Sequence, residues 1–256
     1  ASRMTVHYPE QGHDWCADVE DNSFWFRHRN QFLLEVMRRY PPRTPLYDVG
    51  GGNGVVAAAL QQAGIPAVVV EPGADGARRA KLRGLESICA TLGGAGFTPG
   101  SLPSVGLFDV IEHIEDPVAF LRQAFDLMKP GGRIYLAVPA YVALWSAEDD
   151  YARHFRRYTR RGLSRELAAA GFEIEHSTYM FAFLILPILL MRSLPYRLGV
   201  SRPVTPDAVR SDHAARGVSR IVLDAMCAVE VGPVRRWGGL PFGASVVAVA
   251  RKPGER

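Results

Sequence analysis

With 256 residues, 48% of them hydrophobic and 22% charged, the chain can bury one sizeable core and carries no low-complexity tract. Its formal net charge of +4 favours anionic ligands mildly and is too small to make nucleic acid an expected partner. Three widely spaced cysteines, Cys16, Cys89 and Cys227, point to neither a disulfide framework nor a zinc site and fit a reducing, cytoplasmic setting.

In chain order, strand and helix signals alternate, the pattern of a parallel sheet with crossover helices. The start, Ala1-Ser2-Arg3-Met4, shows no apolar leader. A helix is predicted over Ser23–Tyr40, stopped by Pro41-Pro42, then a strand at Pro45–Val49 ending in glycines and a helix at Val55–Gln62 closed by Gly64. Ala67–Val70 reads as a strand, Asp75–Arg83 as a helix, Ser87–Thr91 and Val105–Phe108 as strands, and Pro117–Met128 as an amphipathic helix. Lys129–Gly132 is predicted to be a turn before a strand at Arg133–Val138, and Pro139–Tyr158 an irregular, aromatic and charged loop. A helix at Arg160–Ala170, a strand at Phe172–Met180, a helix at Asp207–Val231 and a strand at Ser245–Ala250 complete the pattern. The late helix is expected to carry Val218, Ile221, Val222, Ala225 and Val229 on one face.

The most informative short stretch is Tyr47-Asp48-Val49-Gly50-Gly51-Gly52-Asn53-Gly54, between a strand and a helix. Glycines there permit a tight turn and close approach of a ligand, and the helix start offers unpaired N–H groups. Glu71, about 20 residues on at the end of the next strand, can accept both hydroxyls of a ribose. These features describe an adenosine-containing cofactor and leave NAD and S-adenosylmethionine tied, since Gly52-x-Gly54-x-x-Ala57 also satisfies a relaxed dinucleotide pattern.

Downstream segments separate the two. YDVGGGNG (Tyr47–Gly54), GLFDVIEHIEDP (Gly106–Pro117), LMKPGGRIYLAVP (Leu127–Pro139) and AAGFEIE (Ala169–Glu175) occur in order. With them the chain resembles class I S-adenosylmethionine-dependent methyltransferases, especially the small-molecule, ubiquinone-biosynthesis-like branch. The resemblance implies an α/β, Rossmann-like seven-stranded methyltransferase sheet with a reversed last strand and a helical insertion before it. It implies one domain: an N-terminal helical cap at 1–44, a cofactor-binding core at 45–180, the insertion at 181–242, and the last strand and tail at 243–256. It also implies that Asp48, Gly50, Gly52 and Gly54 meet the methionine part of the cofactor and Glu71 the ribose. Thr91 and Leu92 would lie near adenine, Phe108 and Asp109 beside the sulfonium. Arg29, in the aromatic and basic run FWFRHRN (Phe24–Asn30), would pair with the methionine carboxylate. The family commonly opens its fourth strand with Phe-Asp, where this chain has Leu102-Pro103.

Methyl transfer from a sulfonium is an in-line displacement that needs alignment and exclusion of water. Trp25, Phe26, Tyr141, Trp145 and Tyr158 are candidates for cation–π contact with it, or for ordinary packing. His154 and His113 are the candidate general bases, and Asp149-Asp150 either orients one of them or forms a solvated turn. The arginine run from Arg153 to Arg165 reads as a solvated face, or as a site where Arg156 and Arg157 hold an acceptor anion. No metal-ligand cluster is evident. Tyr179–Met191, YMFAFLILPILLM, is too short to span a membrane and is expected to be a buried strand-to-helix passage, with a membrane-facing or lipid-substrate surface as the other reading. Besides a methyltransferase of a small, lipid-linked or anionic acceptor, the sequence admits a non-catalytic S-adenosylmethionine-binding module or an NAD-dependent oxidoreductase. A nucleic-acid amino-methyltransferase is disfavoured because Asp109–Glu112 reads DVIE.

Overall fold

A computed structural model describes residues 23–201, 203–205 and 218–254. Cys16 and residues 207–217 of the predicted late helix lie outside the described residues. The elements are α1 (Phe24–Arg39), β1 (Leu46–Val49), α2 (Val55–Gln62), β2 (Ala67–Val70), α3 (Ala74–Leu82), β3 (Glu86–Ile88), β4 (Leu102–Phe108) and α4 (Pro117–Leu127). They continue with β5 (Met128–Pro139), α5 (Ala147–Tyr151), α6 (Arg160–Ala169), β6 (Glu173–Met180), α7 (Ile185–Ile188), α8 (Leu194–Arg197), α9 (Val218–Trp237) and β7 (Ser245–Arg251).

The strands form one sheet in the order β3-β2-β1-β4-β5-β7-β6. β1 to β5 pair in parallel, and β7 runs antiparallel to both β5 and β6. β2 and β4 are buried along their whole length. That is why they read as unbroken apolar runs: parallel strands covered on both faces do not alternate. Separate apolar clusters fill the two faces. The chain leaves β1 toward β2 on one side while β4 lies on the other, so the crevice outside the carboxyl ends of β1 and β4 is the switch point where ligands of such sheets bind.

β4 begins at Leu102, three residues before the predicted start. Pro103, which cannot donate to a ladder, sits where the β4–β5 register shifts, and pairing with β1 starts only at Ser104. β5 likewise begins at Met128: the predicted Lys129–Gly132 turn is an excursion inside the strand, between the pairs Leu102–Met128 and Ser104–Arg133.

Two apolar segments depart from expectation. α9 does not bury Ala225 and Val229, which are exposed; its inward side carries Cys227, Glu230, Val231 and Val234. Glu230 is drawn inside because its carboxylate lies 3.0 Å from His28 Nε2 on α1 and accepts the Ala182 amide, so a polar residue occupies the core face. The expected burial of Tyr179–Met191 holds only at its start. Tyr179, Met180 and Phe181 are buried, whereas Leu186, Leu190 and Met191 face solvent.

Candidate active site

The crevice begins with the glycine loop after β1. Gly50 and Gly54 have φ of +72° and +79°, a region that disfavours any side chain. A Cβ on Gly54 would lie 2.5 Å from Leu85 Cδ1 and 3.1 Å from Ala80 Cβ, so a glycine here also lets the start of α2 pack tightly. A Cβ on Gly52 would meet nothing, and that loop position faces open space. Glu71, at the end of β2, accepts the amides of Gly52 at 2.9 Å and Gly73 at 2.7 Å, so its carboxylate is already locked to the loop. Asp48 is buried beneath the loop. Burial, with the Glu71 charge adding and Arg29 opposing, pushes its carboxyl up to about 7.

Across the crevice, Arg29 of α1 donates to the Asp109 carboxylate at 2.5 Å, its guanidinium lying 4.8 Å from the Trp25 ring centre and 5.0 Å from that of Phe26. Among the described residues, Arg29 Nε is buried with no hydrogen-bond partner. Asp109 sits at the end of β4 with φ of +57°, a conformation that brings its side chain to the crevice mouth. Phe108 does not line this space: its ring folds back over Gly106 into the core. Thr91 closes a turn through the Gly94 amide, and Leu92 is buried in the core layer that also holds Val70 and Val110.

The second half of the site is built on the segment after β5. Tyr158 pairs back onto Pro139 and Tyr141 through main-chain bonds, and the Phe155 amide donates to the Glu112 carbonyl. The loop is thereby folded against the 3₁₀ turn Ile111–His113, which brings His154 beside His113, ring centres 4.7 Å apart. Asp149 organises the rest. Its Oδ1 accepts from His154 Nδ1 at 2.8 Å and Arg157 Nε at 2.7 Å; its Oδ2 accepts from Arg157 Nη2 and the Ser146 amide, both at 2.9 Å. Burial alone would push this carboxyl up, but hydrogen bonds from His154 and Arg157, with the arginine charge, hold it down at about 2. Asp149 thus orients His154, and Asp150 accepts from Trp145 Nε1 and from the Tyr196 hydroxyl.

Arg157, expected to meet an acceptor anion, is committed to Asp149 and to the Ala140 carbonyl. Arg156 donates to the Glu115 carbonyl. Tyr158 is core, whereas Tyr141 stays half-buried and stacks on Tyr179 at 5.2 Å.

Glu112 was missed by sequence reading. It is fully buried and, among the described residues, its carboxylate finds no partner beyond its own main chain; burial with the nearby Asp109 charge raises its pKa well above the carboxylate range. Burial, then His154, lowers His113 to about 4, so that imidazole is neutral at physiological pH. Contrary to the expectation of no ligand cluster, Glu112, His113 and His154 each place one ligand atom within 4.8 Å of the others, a set able to hold a cation. The adjacency Glu112-His113 was the available signal; that His154 joins it depends on loop packing.

A methyltransferase-domain family model matches residues 20–177, more than half of the chain. A ubiquinone biosynthesis O-methyltransferase from Xanthomonas campestris is 30% identical over 114 residues, covering 40% of this chain and 48% of the relative. The chain thus spans about half the length of that curated relative. The fold is shared with a possible histamine N-methyltransferase from Thermotoga maritima (TM-score 0.53, 19% identity, 89% of this chain and 92% of that one). It is shared also with a geranyl diphosphate C-methyltransferase from Streptomyces coelicolor (TM-score 0.55, 14% identity, 88% and 78%). From its glycine loop to its sixth strand, the chain belongs to the methyltransferase domain family, and the cofactor of the family is S-adenosylmethionine.

Proposed function

We propose that the chain methylates a hydroxyl of a small, amphiphilic acceptor, with His154 receiving the proton. The observation that carries this reading is the Asp149–His154 contact at 2.8 Å, which fixes the imidazole tautomer and orientation beside the crevice. The name of the Xanthomonas relative, an O-methyltransferase, supports oxygen as the nucleophile.

S-adenosylmethionine, when bound, supplies an electrophilic methyl group on a sulfonium. The residues present fit it. Glu71 beside the Gly52 amide can take a ribose, Gly52 leaves the approach open, and Arg29 Nε, buried and without a hydrogen-bond partner among the described residues, can serve a carboxylate. Trp25 and Phe26 hold the Arg29 guanidinium in place by cation–π contact. With the methyl group supplied by the bound cofactor, His154 would take the proton of the attacking hydroxyl, and Asp149 would stabilise the imidazolium that forms.

Calorimetric titration with S-adenosylmethionine, S-adenosylhomocysteine and NADH in parallel tests the cofactor half. The first two are expected to bind, and Glu71→Ala to weaken them roughly 10- to 100-fold, the cost of two charge-assisted hydrogen bonds to the ribose. Binding of NADH alone, or of none of the three, overturns the reading.

A further inference from the structure

Glu230 of α9 lies 202 residues beyond His28 of α1 and outside the matched residues 20–177, yet the two side chains meet in the core. They are 4% and 1% exposed, and Glu230 Oε2 lies 3.0 Å from His28 Nε2. Among the described residues Glu230 is the imidazole's one hydrogen-bond partner, because Nδ1 is buried and meets none. The other carboxylate oxygen accepts the Ala182 amide at 3.0 Å. One buried carboxylate thus joins three stretches of chain: α1, the turn after β6, and α9.

Stability does not account for this arrangement. Taking a carboxylate and an imidazole out of water is costly, and apolar side chains of similar volume often hold two helices as well or better. The surroundings are apolar: the His28 ring meets Phe181 at 5.1 Å and Phe32 at 6.1 Å, both edge to face. The pairs Arg27–Asp224 and Arg235–Glu35 already tie the same helices nearer the surface. What a buried hydrogen bond adds to apolar packing is direction. Apolar contacts tolerate a small rotation of a helix about its axis, whereas a hydrogen bond loses its angle.

Rotation of α1 matters because Arg29 is the next residue. Neighbours on a helix project about 100° apart, so His28 turns to α9 while Arg29 turns to the crevice, where it meets Asp109. The second oxygen of Glu230 acts on the same arginine by another route. The Ala182 amide follows Phe181, which is fully buried in a left-handed conformation with φ of +63°. Phe181 stacks on Trp25, ring centres 5.3 Å apart and planes 10° apart, and Trp25 carries the Arg29 guanidinium at 4.8 Å. Both oxygens therefore lead to Arg29, one through His28 and the helix, the other through two stacked rings.

We propose that Glu230 is a positioning residue for the cofactor: through His28 and the Phe181–Trp25 stack it sets the orientation of α1 that presents Arg29 to the methionine carboxylate of S-adenosylmethionine. The helical insertion before β7 is then part of the cofactor site, although Glu230 is buried and acts only through α1. The inference rests on the reading of Arg29 as the partner of that carboxylate.

The test compares two ligands that differ in this group. S-adenosylhomocysteine carries the amino-acid carboxylate; methylthioadenosine shares its adenosine and sulfur and lacks it. Both are titrated by calorimetry into wild type, Arg29→Ala, Glu230→Leu and the double variant His28→Leu/Glu230→Leu, with the melting temperature of each. Glu230→Leu leaves His28 buried without a partner and should melt earlier. Adding His28→Leu should restore the melting temperature, since Ala182 is only half-buried and its amide can turn to water. Arg29→Ala and the double variant are each expected to weaken S-adenosylhomocysteine roughly tenfold, the worth of one aligned bond to a charged group, and to leave methylthioadenosine within about twofold. A double variant that regains S-adenosylhomocysteine affinity along with its melting temperature overturns the inference, as does a loss shared equally by the two ligands. Either result beside a selective loss in Arg29→Ala leaves the reading of Arg29 standing. A wild type that binds S-adenosylhomocysteine no better than methylthioadenosine, or an Arg29→Ala variant that keeps the wild-type preference, overturns that reading and the inference with it.

Discussion

Replacing His154 with alanine is expected to lower kcat by roughly 10²- to 10⁴-fold, the range for loss of a general base, with S-adenosylmethionine affinity unchanged. The reasoning is local. His113, the neighbouring imidazole, is held neutral and buried, and its burial and nearness to His154 both disfavour its taking a proton. Burial and then the Asp109 charge push the Glu112 carboxyl well above its ordinary range, and its side chain is fully buried, away from an acceptor. Asp149 is ionised, but five donors surround its two oxygens and leave it no room to reach a substrate. His154, 16% exposed through its side chain, is the member of the cluster that combines access with a fixed orientation. Steady-state rates with a phenol- or catechol-bearing acceptor that the wild type turns over, beside calorimetric cofactor affinities, decide the matter. A kcat within threefold of wild type would remove His154 from the chemistry. The same assays with a chelator address the Glu112-His113-His154 set, and loss of wild-type activity on chelation would replace the base by a bound cation.

The second large effect is on stability. Asp149→Ala is expected to cost about 3–5 kcal/mol, because it leaves the Arg157 guanidinium buried without its carboxylate partner. It also strips the Ser146 amide of its acceptor at the start of α5. For a chain of this size the melting temperature should fall by about 10 °C. The double change Asp149→Ala/Arg157→Met should recover much of that loss, since the orphaned charge goes with its partner. A melting temperature of the double variant no higher than that of the single one would show that the charge was not the source. Acid titration offers a parallel reading. The folded-state pKa of Asp149 is depressed, so its contribution of about 2 kcal/mol is fully present above about pH 4 and drains away as pH falls toward 2.

Much of the sheet was legible because parallel strands declare themselves as apolar runs and helices stop at glycine or proline. Val55–Gln62 and Ala67–Val70 were placed to the residue for those reasons. What failed did so where tertiary partners override local pattern. The Lys129–Gly132 turn became part of β5 because Leu102 pairs with Met128 ahead of it. On α9 the polar Glu230 turns inward because His28 and the Ala182 amide meet its carboxylate, which leaves the apolar Ala225 and Val229 exposed. Gly54 and Phe108 sit in motifs that bind ligands, yet each answers to packing: Gly54 to Leu85 and Ala80, Phe108 to Gly106. Arg157 looked like one more member of a basic run, and only the fold shows that Asp149 claims it. The Ser146-x-x-Asp149 spacing of a capping box was readable in advance and would have marked Asp149 as an ordered residue rather than a solvated turn.

The position of β7 bears on how the molecule is made. β6 touches no strand but β7, and β7 lies between it and β5. During synthesis β1 to β5 can assemble as they emerge, while β6 waits with both edges open until residues 245–251 have left the ribosome. The growing chain therefore carries an unfinished sheet edge, and behind it the leucine-rich segment, until the stretch from β6 to β7 has been made.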